Sequence, residues 1–302
     1  MVVYLTEQTH HSVDKALRIA GLSHATIRRV PLDNRYRLRP DELDRMVAED
    51  RHGGLTPFLV VASAGSTDTG AVDPLAAIAR VCEREGIWLH VDAAYGGAFA
   101  LTDDGARLLQ GIERSDSLAV DPHKGFFLPF GTGAVLVRDR RALVGAFSGS
   151  GAYIDDAMSS EPDAVLSPSE MSPELTRPFR ALRWWLALQL HGVAAFRAAL
   201  EEKLLLTRYA HGRIAELDGF EVGPAPDLTT FTFRHVATDD PDDLNRRLVA
   251  ELADDGRIFL SATTLDGRYT PRFTILNFRI HRPHVDRAVD VIGSTAHRLV
   301  RG

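Results

Sequence analysis

Short apolar runs alternate with segments of helical periodicity through the first half of the chain. The run FLVVA at 58–62 predicts a strand buried on both faces. Between 73 and 85, Asp73 as N-cap, Pro74 in the first turn and Gly86 as the stop predict a helix. The predicted strands are 2–5, 26–31, 58–62, 87–91, 117–120 and 133–137. Strands separated in this way by helices predict an α/β domain with a mostly parallel sheet.

The second half of the chain has a different pattern. Residues 148–173 are rich in glycine, serine and proline and lack periodicity, which predicts a mobile loop. The helices predicted after this loop are 174–189, 193–217, 242–254 and 283–299, and the strands are 231–233, 257–260 and 272–278. We therefore predict a large domain over 1–190, with the loop, and a small C-terminal α+β domain over 191–302.

Composition and charge limit the partners and the cellular location that we expect for this protein. The net charge is -6 and the basic residues are scattered, so we expect no nucleic-acid partner. No apolar run approaches the roughly 20 residues needed to span a bilayer, so we expect no membrane partner. The one cysteine, Cys82, cannot form an internal disulfide, and the start does not resemble a signal peptide. These features predict a cytoplasmic protein.

Reactive side chains follow several of the predicted strands. His10 follows the first strand, residues 63–67 the third, Asp92 the fourth, and His123 and Lys124 the fifth. Ligands of an open parallel sheet bind beyond the carboxyl ends of its strands. We therefore expect these side chains to meet at one edge of the sheet and to form a site there.

A lysine and an aspartate at this edge suit a pyridoxal-phosphate (PLP) site. PLP forms a Schiff base with a lysine, and an aspartate keeps its pyridine nitrogen protonated so that the ring accepts electrons. Lys124 and Asp92 supply these two groups, and the small side chains of Ala93 and Ala94 leave room for a flat ring. A metal site is the competing interpretation, but no tight ligand motif supports one; its ligands would be His10, His90, Asp92 and His123.

Four segments together resemble one enzyme family. They are ASAGSTDTGAVDP, WLHVDAAYGGA, GIERSDSLAVDPHKG and PFRALRWWLALQLHG, in that order. Their sequence and spacing are similar to the group II PLP-dependent amino-acid decarboxylases, and in particular to the aromatic-L-amino-acid decarboxylase-like members. TEQTHHSVDKALRIAGL near the start and RFTILNFRIHRPHVDRAVDVI near the end also resemble this family. The resemblance covers nearly the whole chain and implies the fold type I of PLP-dependent transferases.

The resemblance also implies roles for individual residues around the cofactor. Lys124 corresponds to the lysine that holds PLP, and Asp92 to the partner of the pyridine nitrogen. His10 corresponds to the histidine that stacks on one face of the ring, and Ala94 to the residue packed on the other face. Thr67 corresponds to a residue that contacts a ring substituent. The sequence therefore predicts a cofactor site made from four separate segments.

The same resemblance implies a reaction and a quaternary structure. His123 would contact cofactor or substrate and assist proton transfer. The expected reaction is decarboxylation of an L-amino acid, first of all an aromatic one, to an amine and carbon dioxide by a homodimeric enzyme. Gly125, directly after the lysine, stands where the family often has an aromatic residue. Its small size either enlarges the pocket or marks a subgroup.

Two departures from the family pattern leave other functions open. The family has an amino-terminal part with a small-residue loop that binds the PLP phosphate, and no segment here matches that loop, so we expect a truncated large domain. Family members commonly use a tyrosine late in the mobile loop to protonate the product, whereas Tyr153 lies near its start. The alternatives are a weak or inactive homologue, an oxidative deaminase, and another PLP-dependent lyase of this fold.

Overall fold

A six-stranded sheet organises the amino-terminal part of the chain. The computed structural model describes residues 1–147 and 167–301. Within these ranges the strands of the first sheet are β1 (Val2–Leu5), β2 (Thr26–Arg29), β3 (Pro57–Ser63), β4 (Trp88–Asp92), β5 (Ser117–Val120) and β6 (Ala134–Val137). Their order is β2-β1-β3-β4-β5-β6. The first five are parallel and β6 is antiparallel to β5, which confirms a mostly parallel sheet.

Helices cover both faces of this sheet. Alternate residues of a strand point to opposite sides, so each strand contributes side chains to both faces. Val2 and Tyr4 pack in the main core, whereas Val3 and Leu5 pack with Leu17 of the first helix in a smaller cluster. The helices of this part are α1 (Ser12–Ile19), α2 (Pro40–His52), α3 (Leu75–Glu85), α4 (Asp103–Leu108), α5 (Pro122–Gly125) and α6 (Arg140–Phe147). Short 3-10 turns lie at Gly96–Leu101, Ile112–Arg114 and Pro168–Glu170.

A long helix, α7 (Ala181–Ala215), joins the first sheet to a second one. Gly192, with φ 71° and ψ 157°, interrupts its helical backbone. Residues 196–204 of α7 contribute to the core under the first sheet, and residues 206–214 contribute to a second core. One helix therefore packs in both cores. The domain boundary at 190/191 falls next to the break at Gly192 and stays a prediction.

The second sheet is antiparallel, and helices pack on it. In the part of the chain that the structure describes, its strands are β7 (Phe220–Val222), β8 (Thr230–His235), β9 (Ser261–Leu265) and β10 (Arg268–Thr274). Their order is β7-β8-β10-β9. The helices α8 (Pro241–Asp255) and α9 (Arg282–Arg301) complete this α+β region. Together the two sheets confirm the fold class expected from the sequence.

Some local predictions were wrong. Residues 257–260 do not form a strand; β9 begins at Ser261, and β10 ends at Thr274 and not at 278. Phe58 is 39% exposed, so the strand at 58–62 is not buried on both faces throughout. Asp73 does not cap α3: its carboxylate accepts hydrogen bonds of 2.7 Å from the backbone N–H groups of Leu38 and Ser63. Burial raises the pKa of Asp73 to about 6.

The structure leaves most of the predicted loop undescribed and offers no membrane-spanning helix. Residues 148–166 of the predicted mobile loop, with Tyr153, lie outside the described residues. No helix within 1–147 or 167–301 combines the length and the apolar character needed to cross a membrane.

Candidate functional site

The carboxyl ends of β3, β4 and β5 are joined by backbone hydrogen bonds that continue past the strands. The N–H of Ala64 donates to the carbonyl of Asp92 (2.8 Å), and the N–H of Asp121 donates to the carbonyl of Ala94 (3.2 Å). The segments that follow the three strands therefore lie side by side. Asp92 ends β4 and Asp121 follows β5, so two carboxylates occur at neighbouring positions on this edge.

Lys124 lies at this edge within the short helix α5. Its Nζ is 3.0 Å from Oδ2 of Asp121, and its side chain is 38% exposed. The amine is thus held by the protein on one side and remains accessible on the other. This combination suits a lysine that must react with a small molecule arriving at the sheet edge.

The geometry around His123 fixes its tautomer. Nδ1 of His123 lies 2.8 Å from the carbonyl oxygen of Thr132. A carbonyl only accepts hydrogen bonds, so Nδ1 carries a hydrogen and donates it. In the neutral ring Nε2 then keeps its lone pair, and it lies 3.8 Å from Oδ2 of Asp121. His123 can therefore accept a proton at Nε2 without disturbing its contact with Thr132.

His10 belongs to the same neighbourhood. Burial lowers the pKa of His10, and the adjacent His11 and the Lys124 ammonium lower it further, whereas Asp92 raises it. The charges of Asp92 and Lys124 therefore both act on this imidazole, although the three residues come from β4, α5 and the end of β1. The lowered pKa favours a neutral ring. Its Nδ1 is 2.7 Å from the hydroxyl of Ser12.

Asp92 is held by the backbone of Ala94 and lies close to a half-buried histidine. Its Oδ1 accepts a hydrogen bond of 3.1 Å from the N–H of Ala94. Burial lowers the pKa of His90, and Asp92 raises it. Nδ1 of His90 is 2.8 Å from the hydroxyl of Ser117, so one ring nitrogen is already engaged. Within the described ranges, no group of three or more His, Cys, Asp or Glu side chains could hold a metal ion.

Thr67 and Ala94 occupy the two remaining predicted positions. The Thr67 side chain is exposed, and its carbonyl accepts a hydrogen bond from the guanidinium of Arg272 on β10. Nε of Arg272 also donates to the carbonyl of Asp68 (3.0 Å). Ala94 is half-buried beside Asp92. The second sheet thus holds the loop that carries Thr67. The sequence did not indicate this contact between the sheet and the loop.

Two glycines near the site are needed because other atoms occupy the space for a side chain. A Cβ on Gly96 would lie 2.1 Å from the carbonyl oxygen of Ala64. A Cβ on Gly125 would lie 2.4 Å from the Cβ of Ala98. The space beside Gly125 is therefore filled by Ala98, so the absence of a side chain there allows close packing and does not enlarge a pocket.

The charges of Asp92 and Lys124 act on His10, and Asp121 lies 3.0 Å from Lys124. Asp121 was not among the residues predicted for the site, although it stands in the same DPHK motif as Lys124. The spacing of three residues was the available signal, because side chains at i and i+3 are neighbours when the segment is helical. The roles assigned to the individual site residues stay predictions.

Comparison with known proteins agrees with this geometry. The family model described as the pyridoxal-dependent decarboxylase conserved domain matches residues 1–236. This match covers most of the chain, so the protein belongs to the pyridoxal-dependent decarboxylase family. The fold and site thus define the class of protein that the sequence motifs indicated.

Individual relatives cover nearly all of this chain. It is 38% identical to an aromatic-L-amino-acid decarboxylase of Bacillus atrophaeus, over 92% of this chain and 59% of the relative. It is 30% identical to a phenylacetaldehyde synthase of Arabidopsis thaliana, over 99% of this chain and 62% of the relative. A crystal structure of Oryza sativa TDC with PLP and tryptamine matches with a TM-score of 0.91 and 30% identity, over 99% of this chain and 63% of that one. The chain therefore spans about three fifths of the length of these relatives.

Proposed function

We propose that this protein decarboxylates an aromatic L-amino acid to an amine and carbon dioxide with PLP as its cofactor. The observation that carries the proposal is the partly exposed amine of Lys124, held 3.0 Å from Asp121 at the sheet edge where Asp92 ends β4. Membership of the pyridoxal-dependent decarboxylase family supports the cofactor and the reaction class. The name of the Bacillus relative supports an aromatic substrate.

The residues at the edge fit PLP. When bound, PLP supplies a ring that accepts the electrons released as carbon dioxide leaves. Lys124 would hold the cofactor covalently, and Asp92 would pair with the pyridine nitrogen. The lowered pKa of His10 favours the neutral imidazole, which suits stacking on an aromatic ring. Ala94 would pack with its small methyl group on the other face of the ring, and Thr67 would contact a ring substituent.

His123 is the proposed site of proton transfer. Its Nδ1 donates to Thr132, which leaves Nε2 to accept a proton and release it again. Asp121, 3.8 Å from Nε2, is placed to stabilise the positive charge that protonation creates. Thr132 fixes the plane of the ring, so the proton moves at one defined atom.

A second reaction is favoured by one observation. The phenylacetaldehyde synthase relative carries the name of an aldehyde-forming enzyme and matches 99% of this chain. Decarboxylation coupled to oxidative deamination, with dioxygen as the oxidant and an aldehyde, carbon dioxide, ammonia and hydrogen peroxide as products, is therefore our alternative proposal, beside a homologue that binds PLP but turns over weakly or not at all. Another lyase of the same fold would yield a keto acid.

Product analysis separates these functions. The purified chain is incubated with PLP and L-tryptophan, L-tyrosine or L-phenylalanine, and amine, carbon dioxide, aldehyde and ammonia are measured. We expect amine and carbon dioxide in equal amounts, and none with Lys124→Ala. Aldehyde and ammonia would support the alternative instead. PLP bound at Lys124 without any product would contradict an active enzyme in favour of the inactive homologue.

We further propose a homodimer. Leu182, Trp185, Leu186 and Leu190 follow one another at helical spacing along α7 and are each 44–70% exposed. An apolar stripe of this kind is typical of an interaction surface. Sedimentation velocity is expected to give a dimer that Trp185→Glu converts to a monomer. A monomer at all concentrations would contradict this.

We also propose a cytoplasmic location. Cys82 is buried in α3 and burial raises the pKa of its thiol to about 12, so it has the character of an inert thiol and not of half of a disulfide. Fractionation of expressing cells is expected to recover the protein with cytoplasmic markers. Recovery in a secreted or membrane fraction would contradict the proposal.

A further inference from the structure

Asp121 stands at the N-cap of α5 but does not act as a cap. An aspartate at this position usually accepts a hydrogen bond from the first N–H groups of its helix. The Asp121 side chain makes no such bond. Its Oδ2 lies instead 3.0 Å from Nζ of Lys124, one helical turn later. The carboxylate has thus been turned away from the helix terminus and towards the amine.

The surroundings of Asp121 hold it in this orientation. Its N–H donates to the carbonyl of Ala94, and its carbonyl accepts from the N–H of Lys124 at 2.8 Å. A Cβ on Gly133 would lie 3.2 Å from Oδ1, so the chain opposite the carboxylate fits closely only as glycine. The Asp121 side chain is 26% exposed. It is therefore fixed by the sheet edge and differs from a mobile carboxylate on an open helix surface.

We propose that Asp121 is a positioning residue for Lys124. Its carboxylate holds the amine at the sheet edge before a cofactor arrives, and it limits reaction of that amine with other electrophiles. The inference that the held amine is poised for PLP rests on the function proposed above. The inference that Asp121 holds and protects the amine does not rest on that function, because it concerns the chain without cofactor.

We expect the carboxylate of Asp121 to slow the acylation of Lys124 and to speed its reaction with PLP. A small acylating reagent reacts with any free amine, so an amine that donates to a carboxylate reacts more slowly. The aldehyde of bound PLP needs the amine at a defined position, so holding the amine increases that rate. Reaction with the aldehyde would form a C=N bond at Nζ of Lys124 as the C=O bond of the aldehyde breaks. Two hydrogens of the ammonium would leave with the oxygen as water, and the third would pass as a proton to the carboxylate of Asp121 and on to solvent.

The chain provides its own reference amines. It has three lysines, namely Lys15, Lys124 and Lys203. Lys15 is exposed on α1, and Lys203 is fully buried. Acylation of Lys124 by acetic anhydride can therefore be measured relative to Lys15 in one molecule by peptide mass spectrometry. Acylation of the buried Lys203 would show that the fold has opened.

The test compares Asp121→Asn with the parent chain without cofactor. Asparagine keeps the shape but removes the charge, and exposed or partly exposed ion pairs contribute up to about 1 kcal/mol. We therefore expect acylation of Lys124 relative to Lys15 to rise about two- to fivefold. Asp103→Asn, at an exposed position on α4, is the matched control and is expected to leave the ratio unchanged. Asp121→Glu, which keeps the carboxylate, is expected to stay closer to the parent.

The second measurement adds PLP and traps the bond to Lys124 with borohydride. In Asp121→Asn we expect trapping at Lys124 to become slower while acylation becomes faster. An unchanged acylation ratio would overturn the proposal whether or not PLP binds. An increase in both rates would overturn the positioning role, because it would mean that the amine had merely been released. No trapping in the parent would count against the proposed function alone, since the acylation ratio still tests Asp121.

Discussion

Lys124 and Lys203 are two lysines that contact neighbouring carboxylates in two very different regions. Lys124 at the sheet edge is 38% exposed and its Nζ is 3.0 Å from Asp121. Lys203, within α7, has no exposed side-chain surface; its Nζ is 2.8 Å from Glu202 and also donates to the carbonyl of Ile280. The ion-pair distances are similar. What differs is the access of a third molecule to the amine.

This difference separates an accessible amine from an enclosed one. Glu202 also contacts Nδ1 of His281 at 2.7 Å, so the Lys203 region links α7 to the segment that precedes α9. Its hydrogen bonds stay within the protein. At the sheet edge, by contrast, the charges of Asp92 and Lys124 act on His10 from separate segments, and one side of the amine remains open. The environment of a lysine, and not its ion pair, thus indicates its role.

The largest expected effect is the complete loss of the trapped cofactor in Lys124→Ala. Reduction of a PLP-treated sample with borohydride should label Lys124 in the parent, because its amine is the accessible one at the site. Peptide mass spectrometry measures the label. Lys203→Met is the matched control and is expected to keep the label at Lys124. Label on Lys15 or Lys203 in the parent would contradict the prediction that Lys124 is the lysine that binds PLP.

Asp92→Asn is expected to weaken PLP binding about 10- to 150-fold, the equivalent of the 1.5–3 kcal/mol that a hydrogen bond to a charged group contributes. The variant keeps the shape of the side chain but cannot keep the pyridine nitrogen protonated. Titration of the visible absorption of bound PLP measures the change. Asp103→Asn serves as the control. An unchanged affinity would mean that Asp92 does not contact the cofactor.

Lys203→Met is expected to lower the free energy of unfolding by about 1–3 kcal/mol, since a buried acceptor loses its donor. The unpaired acceptor is the carbonyl of Ile280, and methionine retains most of the apolar stem of lysine. Urea unfolding followed by fluorescence measures the change. Lys15→Met is the matched surface control and should have little effect. Equal stability of the parent and Lys203→Met would show that the buried amine is not structural.

The smallest expected effect is a dependence of stability on pH through Glu202. Burial by itself raises the pKa of Glu202, but hydrogen bonds from His281 and Lys203 outweigh it and hold the pKa below its ordinary value. A lowered pKa in the folded state contributes stability above the ordinary pKa, and this stability is lost as the pH falls through the folded pKa.

Urea unfolding of the parent and of Glu202→Gln, at about pH 6.5 and about pH 4, isolates this contribution. The side chain of Glu202 is 38% exposed, so we expect the parent to lose at most about 1 kcal/mol more than the variant on acidification. A larger loss in Glu202→Gln than in the parent would contradict the assigned direction.

Much of the first sheet could be predicted because strand burial is a local property. The predictions for β1 and β5 agree with the observed bounds at 2–5 and 117–120. β9 and β10 were misplaced, because both strands are only partly buried and consist largely of polar residues on either side of the turn at Asp266 and Gly267. Local pattern is weak where a strand is half-exposed on a small antiparallel sheet.

Aspartates illustrate the limit at the site. Asp73 and Asp121 both precede a helix and both suit an N-cap from sequence alone. In the folded chain Asp73 accepts from two backbone N–H groups of other segments, and Asp121 turns to Lys124. The donors of Asp73 come from segments distant in sequence, whereas the donor of Asp121 lies one helical turn later. The same position before a helix therefore leads to different contacts, and the fold decides which contact forms.

The sequence by itself determined the family, the parallel sheet, and the strand ends that carry Asp92 and Lys124, because each rests on local motifs and periodicity. Only the tertiary structure decided that Asp121 holds the amine of Lys124, that Thr132 fixes the tautomer of His123, and that Arg272 from the second sheet holds the loop of Thr67. Arg272 and Thr67 are brought together by the packing of distant segments. Asp121 and Lys124 are close in sequence, as are His123 and Thr132, but the surrounding fold sets the orientation of their side chains, which spacing alone does not fix.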